Sequence, residues 1–411
     1  MSVLGSIDWP EAWRAVPLWS LFDRVKDVGH PDEEMLSVYR DYGIVKKDSR
    51  SDNGNKTAEN REIYQLVDRG WLVINRMKAW QGSVGISSYR GIISGHYVCF
   101  RPKHHENARF LNWLLRSDVY TVEYLRLSRG VRPNQVEIDN DGLRILPVWL
   151  PPIKAQQAIA NFLVQETAKI DAIITKQQCL VTTLLEHRAS LITEAIAELI
   201  QGGTQQSRLK YHAEIQTGVT LGKTLDAEAS RYPYLRVANV QTGYVDLAEV
   251  KEVALNPGDL ANYLLRPGDV LMTEGGDIDK LGRGCIWEGQ IDPCVHQNHI
   301  FAVRCHPSLI NRFLVYLLES DTGRRYFRAT AKRTTNLAST NSTSVGNFPI
   351  PIPTVDEQRV IADRLDIETR RIDTLLDKTR QLIGVMKERR RGWIAACVTG
   401  QVDIATYREG S

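Results

Sequence analysis

Two long segments of the chain carry apolar residues in steps of three and four. In the first segment these are Leu163, Ile170, Ile173, Leu180, Leu184 and Leu191. In the second they are Leu365, Ile372, Leu375, Leu382, Met386 and Trp393. This spacing places the residues on one stripe of an α-helix and is typical of a coiled-coil seam, with Gln177 and Thr379 at matching polar positions. Each segment runs for about forty residues, roughly 60 Å of helix, so we predict two long paired helices, antiparallel in the simplest arrangement, over the alternative of ordinary amphipathic core helices.

The two segments are copies of each other. A shift of 202 positions aligns residues 147–198 with residues 349–400 without a gap, and Gln156 matches Gln358 in that alignment. Prolines precede each helix, and a proline disfavours helix in the residue before it, so each helix begins after them. Residues 110–118 also resemble residues 313–321 at an offset of 203. The sequence therefore predicts two half-molecules, each a globular domain followed by a long helix.

The globular segments have the pattern of short strands. Residues 70–75 and 95–100 in the first, and Tyr234 to Val240 and Val270 to Thr273 in the second, are rich in β-branched and aromatic residues. Residues 110–117 predict a short buried helix, and the polar residues 50–60 an exposed loop.

The predicted fold class is α+β, with two strand-rich globular domains separated by two long antiparallel coiled-coil helices and an internal pseudo-twofold repeat. The predicted bounds are residues 1–146 for the first globular domain, 147–207 for the first proline-rich entry and helix, 208–348 for the second globular domain and 349–411 for the second entry and helix.

Composition and charge narrow the class of protein. The 411 residues are 43% apolar and 25% charged, with a net charge of +3, as in a folded soluble protein. The first residues lack a signal-peptide pattern and no apolar run is long enough to cross a bilayer, so we expect a cytoplasmic location. Because the nucleotide-loop, nucleophile-elbow and zinc-protease motifs are absent from the sequence, we expect a recognition component more than an enzyme.

Six cysteines are present and none forms a C-x-x-C pair. A cluster of metal-ligand types comprises Cys285, Cys294, His296, His299, Cys305 and His306. Its spacing matches no common zinc finger, and in a strand-rich region neighbouring side chains point to opposite faces. We therefore expect reduced thiols and no metal.

Basic and polar residues recur at equivalent places in the two halves and are candidates for DNA binding. After each short helix the candidates are Arg126, Arg129 and Arg132, and Arg328, Lys332, Arg333, Thr335 and Asn336. Further candidates, where the strand-rich segments turn, are Arg76, Lys78, Gln81, Arg236, Asn239, Lys280 and Arg283. Cations with small hydroxyl and amide groups suit phosphate oxygens and base edges. A solvated charged surface is the alternative for any one of them, but recurrence in both halves favours DNA binding.

The strings of residues around the second helix carry a family resemblance. They are Pro349-Ile350-Pro351-Ile352-Pro353, Glu357-Gln358, Ile361-Ala362, Ile372-Asp373, Lys387-Glu388-Arg389-Arg390 and Val398-Thr399-Gly400. With these, the chain resembles the specificity subunit of type I DNA restriction-modification systems. Tyr234 to Val240 and Arg266-Pro267-Gly268-Asp269 are similar to segments of that family's target recognition domains. The first half has no clear counterpart of the Arg236-Val237-Ala238-Asn239 string, and Ala155-Gln156 stands where the family has Glu-Gln.

This resemblance implies a noncatalytic subunit that binds double-stranded DNA. Its two target recognition domains would each read one half of a bipartite site, and its helices would act as a ruler for the spacer and as a dock for two methyltransferase subunits. Restriction subunits would join the full complex, and S-adenosylmethionine, ATP and magnesium would belong to the partners. Two alternatives remain: a coiled-coil scaffold that does not read DNA, and a divergent stand-alone methyltransferase or nuclease.

Overall fold

The computed structural model describes residues 2–40, 42–49, 60–130, 136–222, 224–276, 281–333 and 338–404. The chain divides into two compact units: unit 1 comprises residues 1–178 and 381–411, and unit 2 comprises residues 179–380. Two long helices, Ile153–Gln201 and Val355–Val398, contribute residues to both units. The predicted loop at residues 50–60 lies outside the described residues except for Asn60, which is exposed.

Unit 1 contains short helices and strands that precede the first long helix. The helices are α1 (Leu18–Leu21), α2 (Ala108–Arg116), α3 (Asp118–Leu127), α4 (Asn140–Arg144) and the first part of α5 (Ile153–Gln201). The last part of the second long helix, Val355–Val398, also belongs to this unit. The strands are β1 (Arg14–Pro17), β2 (Phe22–Val25), β3 (Leu36–Tyr39), β4 (Gly43–Lys46), β5 (Gln65–Val67), β6 (Leu72–Asn75), β7 (Val84–Ile86), β8 (Gly91–Ile93), β9 (Tyr97–Pro102), β10 (Ser128–Arg129), β11 (Glu137–Ile138) and β12 (Pro147–Leu150).

Unit 2 repeats this order. Its helices are the last part of α5, then α6 (Asn311–Glu319), α7 (Asp321–Thr330), α8 (Ser342–Gly346) and the first part of α9 (Val355–Val398). Its strands are β13 (Gln206–Arg208), β14 (Ala213–Thr217), β15 (Ser230–Leu235), β16 (Lys251–Leu255), β17 (Val270–Thr273), β18 (Gly275–Gly276), β19 (Gly284–Ile286), β20 (Val295–His296), β21 (Ile300–Cys305), β22 (Lys332–Arg333), β23 (Ala338–Ser339) and β24 (Pro349–Pro351).

One four-stranded antiparallel sheet forms the centre of each globular domain. Its order is β2-β9-β6-β7 in unit 1 and β14-β21-β17-β19 in unit 2. The predicted short helices α2 and α6 pack on these sheets, with Phe110 and Phe313 fully buried. The weak similarity of the two globular sequences therefore conceals one repeated fold.

The predicted strand from Tyr234 to Val240 is wrong in its second half. Strand β15 ends at Leu235, and Val237–Asn239 forms a 3-10 turn. The cause is local, because the side-chain oxygen of Asn239 accepts a hydrogen bond from the Arg236 amide at 2.8 Å. An asparagine that binds its own backbone in this way competes with the hydrogen bonds of a sheet.

A buried glutamine joins each long helix to the globular domain that precedes it. In α5, Gln156 donates from Nε2 to the Pro151 carbonyl at 2.9 Å and accepts from the Asn107 amide at 2.9 Å. Asn107 is the N-cap of α2, and its side chain accepts from the Phe110 amide. The same glutamine therefore fixes the start of the long helix and the start of the short one.

The equivalent glutamine in α9 makes equivalent bonds. Gln358 donates to the Pro353 carbonyl at 3.0 Å and accepts from the Ile310 amide at 2.8 Å. Gln156 and Gln358 are both fully buried. A buried amide needs its hydrogen bonds, so the Gln-containing strings of the sequence repeat have a structural reason.

The long helices pair in an antiparallel sense within each unit. In unit 1, Arg390 Nε lies 2.9 Å from Asp171 Oδ1, and the rings of Phe162 and Trp393 meet edge to face at 5.6 Å. In unit 2, Arg188 Nε donates to Asp373 Oδ1 at 3.1 Å. In unit 1, earlier residues of α5 meet later residues of α9, and in unit 2 later residues of α5 meet earlier residues of α9, which is the predicted antiparallel arrangement.

The buried stripe of each helix departs from the predicted seam at alternate positions. Residues Leu163, Ile170, Leu365 and Ile372 are buried, and Leu184, Leu191, Met386 and Trp393 are partly buried. The prediction is wrong for Ile173, Leu180, Leu375 and Leu382, which are 42%, 43%, 51% and 39% exposed.

The residues that follow Ile173 and Leu375 are buried instead. These are Ile174 and Leu376, which lie in the stripe, and Thr167 and Thr369 precede them in it. Each threonine hydroxyl donates to the carbonyl four residues earlier, at 2.6 and 2.7 Å. Because these hydroxyls are satisfied within their own helix, threonine takes seam positions that apolar spacing alone assigns elsewhere. Within the described residues, no helix is long and apolar enough to cross a membrane.

Candidate nucleic-acid interface

Three of the candidate arginines of unit 1 lie around the short hairpin β10 and β11. Arg129 is opposite Glu137 in this hairpin, and Arg76 forms an ion pair with the same Glu137. The Ile138 amide donates to the Arg76 carbonyl at 3.0 Å, which ties the β6 to β7 turn to the hairpin. Residues more than fifty positions apart in sequence are thus brought to one side of the domain.

Each of these arginines has an acidic partner. Arg129 lies 3.2 Å from Asp139, and Arg126 Nε donates to Glu123 at 2.7 Å. Burial raises the pKa of Glu123, but hydrogen bonds from Ser2 and Arg126 outweigh it, and the pKa lies below its usual value. Glu123 therefore remains ionised and holds Arg126 in place. The cations are positioned, but their charge is partly neutralised.

Lys78 and Gln81 lie in the turn between β6 and β7. The Asn75 side chain accepts hydrogen bonds from the Met77 and Lys78 amides at 3.0 and 3.1 Å, which closes the turn. A 3-10 segment, Ala79–Gln81, follows and ends at Gly82, whose φ is +86°. Lys78 is exposed and Gln81 partly so. The turn thus presents one lysine and one amide on a fixed backbone.

In unit 2 the structure corrects one candidate. Asn239 is only 3% exposed, and its Nδ2 donates to the Asp246 and Glu249 carbonyls at 2.8 and 3.0 Å. Its amide is fully used within the fold, so it is a structural residue and we withdraw it as a DNA contact. Arg236, beside it, is partly exposed and lies 3.3 Å from Glu249.

The remaining described candidates of unit 2 lie on α7, on β22 and just before β19. Arg328 is exposed near the end of α7, and Lys332 and Arg333 are exposed on β22, which pairs with β23. Arg283 donates to Thr242 Oγ1 at 3.3 Å. The candidates Arg132, Lys280, Thr335 and Asn336 lie outside the described residues.

The cysteine and histidine cluster forms no metal site among the described residues. Cys285 and Cys294 are buried in an apolar cluster with Trp287, and burial raises the pKa of both thiols to about 12. His296 is also buried, and its Nδ1 lies 2.9 Å from the Ile300 carbonyl. Neutral thiols in an apolar core are poor metal ligands.

The structure also brings together residues that the sequence reasoning missed. In unit 1 the turn between β3 and β4 places Arg40 beside Gly82, where an added Cβ would lie 3.7 Å from Arg40 Cγ. In unit 2 the turn at residues 241–244 lies beside β19, because the Gly243 amide donates to the Gly284 carbonyl at 3.4 Å. Both turns contain a glycine at positive φ with a tyrosine next to it. The adjacent glycine and tyrosine are the feature of the sequence that could have indicated these turns.

Comparison with known proteins agrees with a repeated recognition fold. A family model described as the type I restriction modification DNA specificity domain matches residues 10–180 and again residues 202–383. Because the two matches cover most of the sequence, the chain belongs to this family. Each match contains one globular domain and most of one long helix.

Individual relatives share the family at low identity. The StySPI type I restriction enzyme specificity subunit of Salmonella potsdam is 19% identical over 381 residues, 87% of this chain and 82% of that protein. The EcoKI specificity subunit of Escherichia coli K12 is 19% identical over 384 residues, with the same coverage. A Methanocaldococcus jannaschii protein provisionally assigned as the MjaX specificity subunit is 26% identical over 187 residues, 45% of this chain and 43% of that protein.

A solved structure supports the fold. It is described as the structural basis underlying complex assembly and conformational transition of the type I R-M system. One of its chains matches with a TM-score of 0.66 at 15% identity, over 96% of this chain and 100% of that chain.

Proposed function

We propose that this chain is the noncatalytic, sequence-specific DNA-binding subunit of a type I restriction-modification complex in the cytoplasm. The observation that carries the proposal is the internal repeat: one fold occurs twice with different exposed residues, and each copy is attached to a closely similar helix. Two unlike domains suit two unlike half-sites. Two similar helices suit two copies of one partner.

The docking surface for the methyltransferase subunits is proposed to include the exposed apolar residues of the helices. Unit 1 presents Ile173 and Leu382, and unit 2 presents the equivalent pair Leu375 and Leu180. Exposed leucine and isoleucine at repeated positions of a helix surface favour a protein partner. Because the pairs are related by the repeat, one kind of methyltransferase subunit would bind each unit. Restriction subunits would join the full complex.

The cofactors of the reaction are assigned to the partners. S-adenosylmethionine, ATP and magnesium would bind the methyltransferase and restriction subunits, and this chain would supply the choice of DNA site. The Cys285 and Cys294 thiols lie in the apolar core and take no part in this proposal.

Deletion of this chain alone from a host that carries its partner genes tests the proposal. We expect methylome sequencing to show a split, two-part methylated motif in the complete host and none in the deletion. An unchanged methylome, with the partners expressed, would favour the scaffold. Purified complex should also bind duplex DNA with an affinity that falls steeply with salt, because phosphate contacts release counterions.

The ruler role has its own test. Seven residues inserted in each helix, between Gln178 and Cys179 and between Arg380 and Gln381, leave the helix contacts within each unit intact. We expect the spacer of the methylated motif to change while both half-sites remain the same. A matched control inserts seven residues at Gly203 alone, outside the paired helices, and should leave the spacer as it was.

A further inference from the structure

The two missed turns occupy equivalent places in the repeated fold. In unit 1, Met35 pairs with Ile92 in parallel, just before β3. In unit 2, Tyr234 pairs with Val295 in parallel, within β15. Counting from these pairs, Arg40 takes the place of Asn239, so the chain at residues 37–40 is the counterpart that the first half lacked in the sequence comparison.

Hydrogen bonds within each domain hold described residues of each turn. In unit 1, Arg116 donates to the Arg40 carbonyl at 2.9 Å, and a Cβ on Gly43 would lie 3.1 Å from the Arg116 guanidinium. In unit 2, the Gln241 amide donates to the Tyr244 carbonyl at 3.0 Å, and Val240 pairs with Val245. A two-stranded β-ribbon is one of the elements that the DNA major groove admits.

Both turns present side chains to solvent. Tyr42 is 58% exposed and Tyr244 is 59% exposed. The guanidinium of Arg40 is exposed and forms no ion pair or hydrogen bond with the described residues, whereas Arg76, Arg126 and Arg129 each have an acidic partner. Arg40 is therefore the arginine of this group that has no acidic partner among the described residues.

The turns lie next to the residues already proposed to bind DNA. Arg40 is beside Gly82, which directly follows Gln81. Thr242 accepts a hydrogen bond from Arg283 at 3.3 Å. The same juxtaposition thus occurs twice, in two domains whose sequences differ.

We propose that these two turns read base pairs, with Arg40 and Tyr42 determining one half-site and Gln241 and Tyr244 the other. This inference rests on the proposed function. An arginine fork pairs with O6 and N7 of guanine, and a glutamine amide with N6 and N7 of adenine. The exposed rings of Tyr42 and Tyr244 would supply apolar contact and a hydroxyl group. Phosphate contacts would come from the surrounding lysines and arginines.

The test uses the complete complex in a host and reads the methylated fraction of sites that differ at one base pair. For Arg40→Ala we expect preference at one position of one half-site to fall by about 5- to 150-fold, the range that one bidentate contact supplies. For Tyr244→Ala we expect a loss confined to the other half-site. The untouched half-site in each variant shows that the complex has assembled.

The matched controls are Arg109→Ala and Tyr211→Ala. Arg109 is an exposed arginine in the first turn of α2, and Tyr211 is an exposed tyrosine between β13 and β14. Both should leave the motif unchanged. If Arg40→Ala abolishes methylation, the variant Arg40→Gln is used in its place, since a glutamine amide pairs with adenine and not with guanine. An unchanged base preference in Arg40→Gln would overturn the assignment.

The outcomes separate the two proposals. If the unmodified complex shows no split motif, the proposed function fails. If that motif is present and neither Arg40→Ala nor Tyr244→Ala alters it, the function stands and the turns are not the base-reading elements.

Discussion

Arg188 and Glu319 form a buried ion pair in unit 2, with Arg188 Nη1 donating to Glu319 Oε2 at 2.6 Å. The Glu319 side chain is only 2% exposed. The repeat places Arg390 at the position equivalent to Arg188, but Arg390 faces Asp171, whose side chain is 51% exposed. Arg188 makes the equivalent pair with Asp373, whose side chain is 49% exposed, and in addition it neutralises a buried charge that joins α6 to α5. Two arginines that match in sequence thus share one ion pair and differ in the other.

The first prediction follows from this difference. Arg188→Ala leaves Glu319 buried and unpaired, so we expect the free energy of unfolding to fall by about 3 kcal/mol, as when one partner of a buried pair is removed. Arg390→Ala removes a surface pair and should cost about 1 kcal/mol or less. Urea unfolding followed by circular dichroism measures both. Equal losses in the two variants would contradict the prediction, and adding Glu319→Gln should recover part of the Arg188→Ala loss.

A second prediction concerns the glutamine at the start of α5. Gln156→Ala removes the acceptor of the Asn107 amide and the donor to the Pro151 carbonyl, both in the interior. We expect a loss of about 1–3 kcal/mol, the cost of leaving buried polar groups unsatisfied. Gln157→Ala, one residue on and exposed, is the control and should be nearly neutral. Comparable losses at the two positions would show that helix propensity, not the buried amide, sets the cost.

A third prediction concerns Gly400, just after α9. Its φ is +73°, and an added Cβ would lie 2.5 Å from Pro10 Cγ. Gly203, after α5, has a φ of +80° with nothing within 4 Å of the added atom. Gly203→Ala should therefore cost only the backbone strain, about 1 kcal/mol, and Gly400→Ala clearly more. Thermal unfolding of both variants measures the difference, and a smaller loss for Gly400→Ala would contradict it.

The fourth prediction is a pH dependence of unit 2. Burial lowers the pKa of His296 to about 4, with Asp269 and Arg304 as charged neighbours. The unfolded chain binds a proton near pH 6.5, before the folded chain does, so this contribution to stability is complete above about pH 6.5 and is lost as the pH falls towards 4. The loss should approach about 3 kcal/mol. Urea unfolding between pH 7 and 4.5 measures it.

The variant His296→Gln should flatten this part of the pH profile, even though its stability at pH 7 will be lower. The control His187→Gln changes an exposed histidine of α5 and should leave the slope unchanged. The same slope in His296→Gln as in the parent would assign the effect to other groups.

The long helices and their antiparallel pairing were predictable because both follow from periodic spacing. The exact seam was not. Ile173 and Ile174 are adjacent and equally apolar, and only the threonine at residue 167, buried and bonded to Leu163, places the stripe on Ile174. A count of apolar residues alone favours Ile173 as the seam position, because such a count does not assign threonine to a seam.

The faint repeat of the globular domains has a specific cause. In unit 2, Asp269 precedes β17 and accepts two hydrogen bonds from Arg304 at 2.9 and 2.8 Å. The same cross-strand position in unit 1 holds Trp71, with the Arg101 guanidinium 5.7 Å from its ring centre. An ion pair has been exchanged for a cation–π contact, so one geometry is kept with unrelated residues.

The sequence predicted which types of residue make up the candidate interface, but not which of its arginines have acidic partners. Arg76 and Glu137 are far apart in sequence and meet only in the fold. The arginine clusters in the sequence therefore predicted more unpaired cations than unit 1 has. They also did not include Arg40, which has no other arginine beside it in the sequence. A single arginine in a tight turn carries no periodic or compositional signal.

The discontinuity of unit 1 has a consequence for biosynthesis. Its globular domain is made before unit 2, yet Ile394, Cys397 and Val398 of α9 belong to its core, and these residues are made after all of unit 2. Unit 2 is continuous from residue 179 to residue 380 and has all its parts earlier. Domains usually complete their folding in the order of synthesis. Here we expect the second unit to mature before the first, whose nascent apolar surface stays uncovered until the last part of α9 is made.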